Sequence, residues 1–97
     1  MDIFKNEGAS LLVSALMMLE TREEYENFLE DLLTTKELLD MSQRIVVAKL
    51  LTENKKYNKI ADETGSRSAT ISRVNRSFCY GKDGYKNFFE KIDSLEK

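Results

Sequence analysis

The sequence has no proline, no histidine and no tryptophan, only four glycines, and a single cysteine, Cys79. Without histidine there is no zinc-ligand cluster and no Cys/His or Ser/His catalytic pair, so neither a cofactor nor an enzymatic activity is expected. One cysteine cannot close an internal disulfide, which suits a reducing cytoplasm. The lack of proline and scarcity of glycine, against frequent Leu, Glu and Lys, favour an all-α chain over a sheet protein with tight turns. Ninety-seven residues make one small domain, expected over 1–97, whose burial stabilises a monomer only modestly.

Charge is unevenly placed. Residues 1–53 hold five basic and eleven acidic side chains, a net of −6, whereas residues 54–86 hold eight basic and three acidic ones, a net of +5. The slightly acidic total therefore hides a basic segment, the electrostatic footprint of a polyanionic partner. The apolar run ASLLVSALMML, residues 9–19, is too short to span a bilayer and lacks a basic leader, so it reads as a buried helix and no membrane association is expected.

Apolar periodicity and capping signals give about six helices. Leu11, Leu12, Ala15, Leu16 and Leu19 form the stripe of a first helix from about Gly8. Thr21 with Glu24 and Thr34 with Glu37 are capping-box patterns that start a second and a third helix. The third, to about Glu53, is apolar over much of its circumference, as befits a helix central to a core or interface. Strongly apolar helices over 8–53 joined by almost no loop have few ways to cover one another within one chain, which points to a homodimer with interlocked N-terminal halves. Met17, Met18 and Met41 read as core gap-fillers and Cys79 as a small buried thiol. A C-terminal helix over 85–96 is expected to bury Phe88, Phe89, Ile92 and Leu95.

Residues 55–78 contain the most informative pattern, NKIADETGSRSATISRVNR (58–76). Ile60 and Ala61 give a short helix an inward face, Gly65 supplies the positive φ of a sharp turn, and Ile71 and Val74 pin the next helix: helix-turn-helix spacing. Arg67, Ser68, Ala69, Ser72 and Arg73 are thereby set on the outer side of the second helix, and Arg67, Ser68, Ala69 and Thr70 occupy its first turn, the part nearest base edges of double-stranded DNA. Lys55, Lys56, Lys59 and Arg76 flank it as phosphate contacts. An RNA-binding or replication-associated module, or a helical protein-docking domain, is the alternative use of the same face.

Residues 48–89, AKLLTENKKYNKIADETGSRSATISRVNRSFCYGKDGYKNFF, closely resemble the Trp-repressor-like YerC/YecD family of bacterial proteins, above all in IADETG, ATISRVNR and YGKDGY. Upstream, LLTTKELLDMSQRIVVAKLL extends the resemblance to about residues 30–92. It implies an all-α, intertwined dimeric transcriptional regulator with its helix-turn-helix from Tyr57 to Val74. The family usually has valine at the position of Ser66 and a small capping residue at that of Lys56, and these departures imply a looser turn and a weaker start to the first motif helix. The resemblance further implies an effector pocket between the central and recognition helices, framed in the Trp repressor by one arginine from each. Arg73 matches one of these, and Arg44 or, with a one-residue gap, Gln43 takes the place of the other. Dependence on tryptophan is not expected.

Overall fold

The computed structural model describes residues 2–96. Among them a 3-10 turn, Ile3–Lys5, precedes six helices and there is no strand: α1 (Glu7–Met18), α2 (Arg22–Leu32), α3 (Thr35–Thr52), α4 (Tyr57–Thr64), α5 (Ser68–Tyr80) and α6 (Gly84–Glu96). The chain divides into two compact units, Met1–Leu38 and Leu39–Lys97.

In the first unit short polar side chains decide where helices begin. Asn6 Oδ1 accepts from the Ala9 N–H at 3.0 Å and starts α1 one residue ahead of expectation. Both expected capping boxes form. The Glu24 N–H donates to Thr21 Oγ1 at 3.1 Å while the Thr21 hydroxyl donates to the Glu24 carboxylate at 3.2 Å. At Thr34 the reciprocal form is complete, with Glu37 N–H to Thr34 Oγ1 at 3.1 Å and Thr34 N–H to Glu37 Oε1 at 2.9 Å. The Tyr25 hydroxyl donates to the Leu16 carbonyl at 3.3 Å and ties α2 to α1.

The expected burial of the α1 stripe fails within the chain. No residue of α1 is buried, and Leu11 and Met17 are 70% and 77% exposed. Met18 and Met41 are exposed as well, so these methionines fill no gap in the core of the chain. The reason is geometric: a pair of short helices offers no second layer to close over an apolar face.

The second unit holds the core. Val47 and Ala48 of α3, Ile60 of α4, and Ile71 and Val74 of α5 are buried together, with Leu50, Leu51, Ala61, Tyr85 and Phe89 half-buried around them. The end of α3 is closed by an Asn54 in the left-handed region, φ 60°, with the Lys55 N–H bonded to the Leu50 carbonyl at 3.2 Å and the Asn54 N–H to the Leu51 carbonyl at 3.1 Å. This is the paired bonding that satisfies orphan carbonyls at a helix terminus. Among the described residues of α6, Tyr85 and Phe89 pack against the core. Phe88 is largely exposed, Ile92 is half-buried and Leu95 is exposed, against the expectation that all are buried. Cys79 is exposed too, its Sγ 3.6 Å from Asn75 Oδ1, because it lies on the side of α5 away from Ile71 and Val74.

Candidate nucleic-acid interface

Helices α4 and α5 form the expected two-helix motif. Gly65 caps α4 at φ 73°, and its N–H bonds to the Ala61 carbonyl at 2.8 Å. A Cβ at Gly65 would meet nothing within 4 Å, so the glycine is there for its backbone conformation rather than for space. Ile60 from one side and Ile71 and Val74 from the other are buried, which fixes the inward faces of both helices.

The turn is tighter than its departures from the usual pattern imply. Ser66 is buried, and its N–H donates to Thr64 Oγ1 at 3.1 Å. The Thr64 hydroxyl also lies 2.9 Å from Ser66 Oγ and 2.7 Å from the Ile60 carbonyl. A polar cluster thus replaces the expected apolar contact, and no buried side-chain nitrogen or oxygen among the described residues lacks a partner. Neither Lys56 nor Arg67, the N-cap residues of α4 and α5, caps its helix with a side-chain hydrogen bond.

Arg67, Ser68, Ala69, Ser72, Arg73 and Arg76 are exposed on α5 or at its cap, and Lys55, Lys56 and Lys59 are exposed at the start of α4. Among the described residues none of these six cations joins an ion pair. Lys55, Lys56 and Lys59 share one open depression with Asn54, Asn58, Asp62 and Glu63. By contrast Lys86, which the sequence also counts in the basic segment, is occupied locally. It lies 3.8 Å from the Asp83 carboxylate and 5.3 Å from the centre of the Phe78 ring.

Thr70 differs from the outer-face candidates. It is half-buried and lines a cleft of about 190 Å³ with Asp40, Gln43, Arg44, Arg73 and Val74. The three residues of the expected effector pocket, Gln43, Arg44 and Arg73, are therefore brought together, with both arginines exposed. The two alignments of the central helix need not compete, because both of its candidates reach the cleft. They differ in what they do there: Gln43 Nε2 donates to the Thr64 carbonyl at 2.8 Å. That bond was not legible in the sequence, since the partners stand twenty-one positions apart and any glutamine on that face would look the same.

The sequence model of the family described as Trp repressor protein matches residues 7–93. The chain is similar to the uncharacterized protein YerC of Bacillus subtilis (strain 168), 39% identical over 98 residues that cover 99% of this chain and 94% of that protein. Among solved structures it is similar to a TrpR-like protein from Eubacterium eligens ATCC 27750, with 46% identity, a TM-score of 0.88 and 97% of each chain covered. A chain from Staphylococcus aureus superposes with a TM-score of 0.85 at 41% identity, covering 96% of this chain and 95% of that one.

Proposed function

The chain belongs to the Trp repressor protein family, and from that premise we propose that it is a homodimeric, sequence-specific reader of double-stranded DNA that regulates transcription in the cytoplasm. The observation that carries this reading is the outer face of α5, where Arg67, Ser68, Ala69, Ser72 and Arg73 are exposed while Ile71 and Val74 hold the helix from behind. Arginine donates two hydrogen bonds to a guanine edge, and small side chains let the helix approach the floor of the major groove. Lys55, Lys56, Lys59 and Arg76, in no ion pair among the described residues, bond phosphates and set the register of the protein on the duplex. Neither Lys56 nor Arg67 caps its helix with a side-chain hydrogen bond, and first-turn N–H groups left open in this way suit anions.

Two apolar surfaces support the dimer. Helix α1 has no buried residue, and in the second unit an open groove of about 510 Å³ is lined by Ile45, Ser77, Gly81, Lys82, Gly84, Tyr85 and Phe88. A second copy would remove both from water. Two-fold symmetry then presents two recognition helices to two half-sites about one helical turn apart.

The cleft at Gln43, Arg44 and Arg73 is the candidate effector site of this reader. Its volume, about 190 Å³, is below the roughly 300–1,000 Å³ usual for pockets that enclose drug-sized ligands.

Selection of bound fragments from a genomic DNA library tests the proposal. Enrichment of a two-fold symmetric motif, with affinity that falls steeply as salt rises, is expected. Recovery of no sequence above random fragments at any salt concentration would overturn it.

A further inference from the structure

Gln43 and Val47 lie four residues apart and so share one face of α3. Val47 is fully buried among Ile60, Ile71 and Val74, which attaches the two-helix motif to α3 by apolar contact. One turn away Gln43 makes a second attachment of a different kind, a 2.8 Å hydrogen bond from its side-chain amide to the carbonyl of Thr64, the last residue of α4. The final carbonyls of a helix have no partner within it. Here one of them is taken by the central helix.

The same residue is also held through its side chain. Thr64 Oγ1 lies 2.7 Å from the Ile60 carbonyl and receives the Ser66 N–H at 3.1 Å, and Ser66 is buried. Carbonyl, hydroxyl and following turn are thus all fixed, and the N-cap of α5, Arg67, comes one residue after Ser66. A rotation of α4 and α5 about the apolar core would leave hydrophobic contact largely intact, because such contact is non-directional. A directional bond at a second point opposes it.

We infer that Gln43 is a positioning residue, whose hydrogen bond to Thr64 locks the helix-turn-helix against α3 so that the reading face is set by the chain's own contacts. The inference rests on the DNA-reading role proposed above. It assigns Gln43 a task distinct from that of Arg44, which lines the same cleft from the exposed side.

The test compares the full-length protein with Gln43→Met, which keeps length and helix propensity but has no donor, and Gln43→Lys, which restores a donor to the carbonyl. Hydrogen exchange without DNA reads the lock directly. The Met variant is expected to exchange about tenfold faster across residues 57–80 while residues 39–52 keep their protection, and the Lys variant to return toward wild type. Affinity for a selected DNA site is expected to fall about tenfold in the Met variant with an unchanged salt slope, since no phosphate contact is lost. Gln43→Asn, which withdraws the amide by one methylene, replaces the Met variant if that one does not fold. Unchanged exchange over 57–80, exchange raised equally over 39–80, or full DNA affinity in the donor-less variant would each overturn the inference. Wild-type protein that binds no duplex, together with the expected exchange pattern, would leave the lock standing and remove the DNA-reading role instead.

Discussion

The hydroxyls of Thr64 and Ser66 meet at 2.9 Å across Gly65, inside the turn that joins α4 to α5. Thr64→Ala takes the partner from a buried Ser66 hydroxyl and from the Ser66 N–H. Leaving such a group unsatisfied costs about 1–3 kcal/mol. A urea titration of the single variant is expected to show that loss, and Thr64→Ala with Ser66→Ala is expected to lose less than the sum of the two single changes, since the second removes the stranded hydroxyl. Strict additivity would mean that the cluster contributes nothing as a unit.

Arg67 and Lys56 are both exposed N-cap residues, but on different helices. Arg67→Ala is expected to relax base preference at one position of each half-site by roughly 1–3 kcal/mol. Lys56→Ala is expected to weaken all sequences alike and reduce the salt slope by about one unit. Competition across permuted sites separates the two, and equal behaviour of both variants on every site would show the assignment to be wrong.

What the sequence disclosed and what it hid divide along a physical line. The motif was legible because Ile60, Gly65, Ile71 and Val74 report on contacts made within a stretch of fifteen residues, where spacing fixes which side chains meet. The Asn54 cap at the end of α3 has a signal too, an asparagine shortly after the last apolar pair. Leu11, Met17 and Leu95 are exposed within the chain: periodicity says that a face is apolar and not which chain covers it. For Cys79 the general preference of free cysteine for the interior was outweighed by its angular position on α5. Gln43, Arg44 and Arg73 line one cleft, as the resemblance implies, but the Gln43–Thr64 bond depends on how α3 meets α4, and no local pattern encodes that.

The exposed apolar side chains of α1 are the surface the proposed dimer would cover. The protein is expected to be a dimer at micromolar concentration by light scattering, bound to a site whose half-sites are about 34 Å apart. Burial of one leucine is worth roughly 1.5–3 kcal/mol, and symmetry removes two copies at once, about 3–6 kcal/mol, so Leu11→Ala is expected to raise the dissociation constant of the dimer by at least about a hundredfold. A wild-type monomer that binds a single half-site would refute both statements.

Tryptophan is expected to leave DNA affinity unchanged. A ligand strengthens binding only as far as it prefers the competent conformation over the alternative, and the reading face here already has two attachments to α3, the Val47 contact and the Gln43 bond to Thr64. Arg73 can lie over a planar ring, and Arg44 can reach the cleft from the opposite helix. Gln43 carries no charge to repeat that contact, and to turn toward a ligand it must surrender the Thr64 carbonyl, at the cost of a part-buried acceptor left bare. Binding in the cleft would therefore tend to loosen the motif, opposite in sign to corepression. Operator titrations with and without millimolar tryptophan, read beside calorimetry of the free protein, decide the matter: a tenfold gain in DNA affinity, about 1.4 kcal/mol of coupling, would show that the head is not fixed by its own contacts.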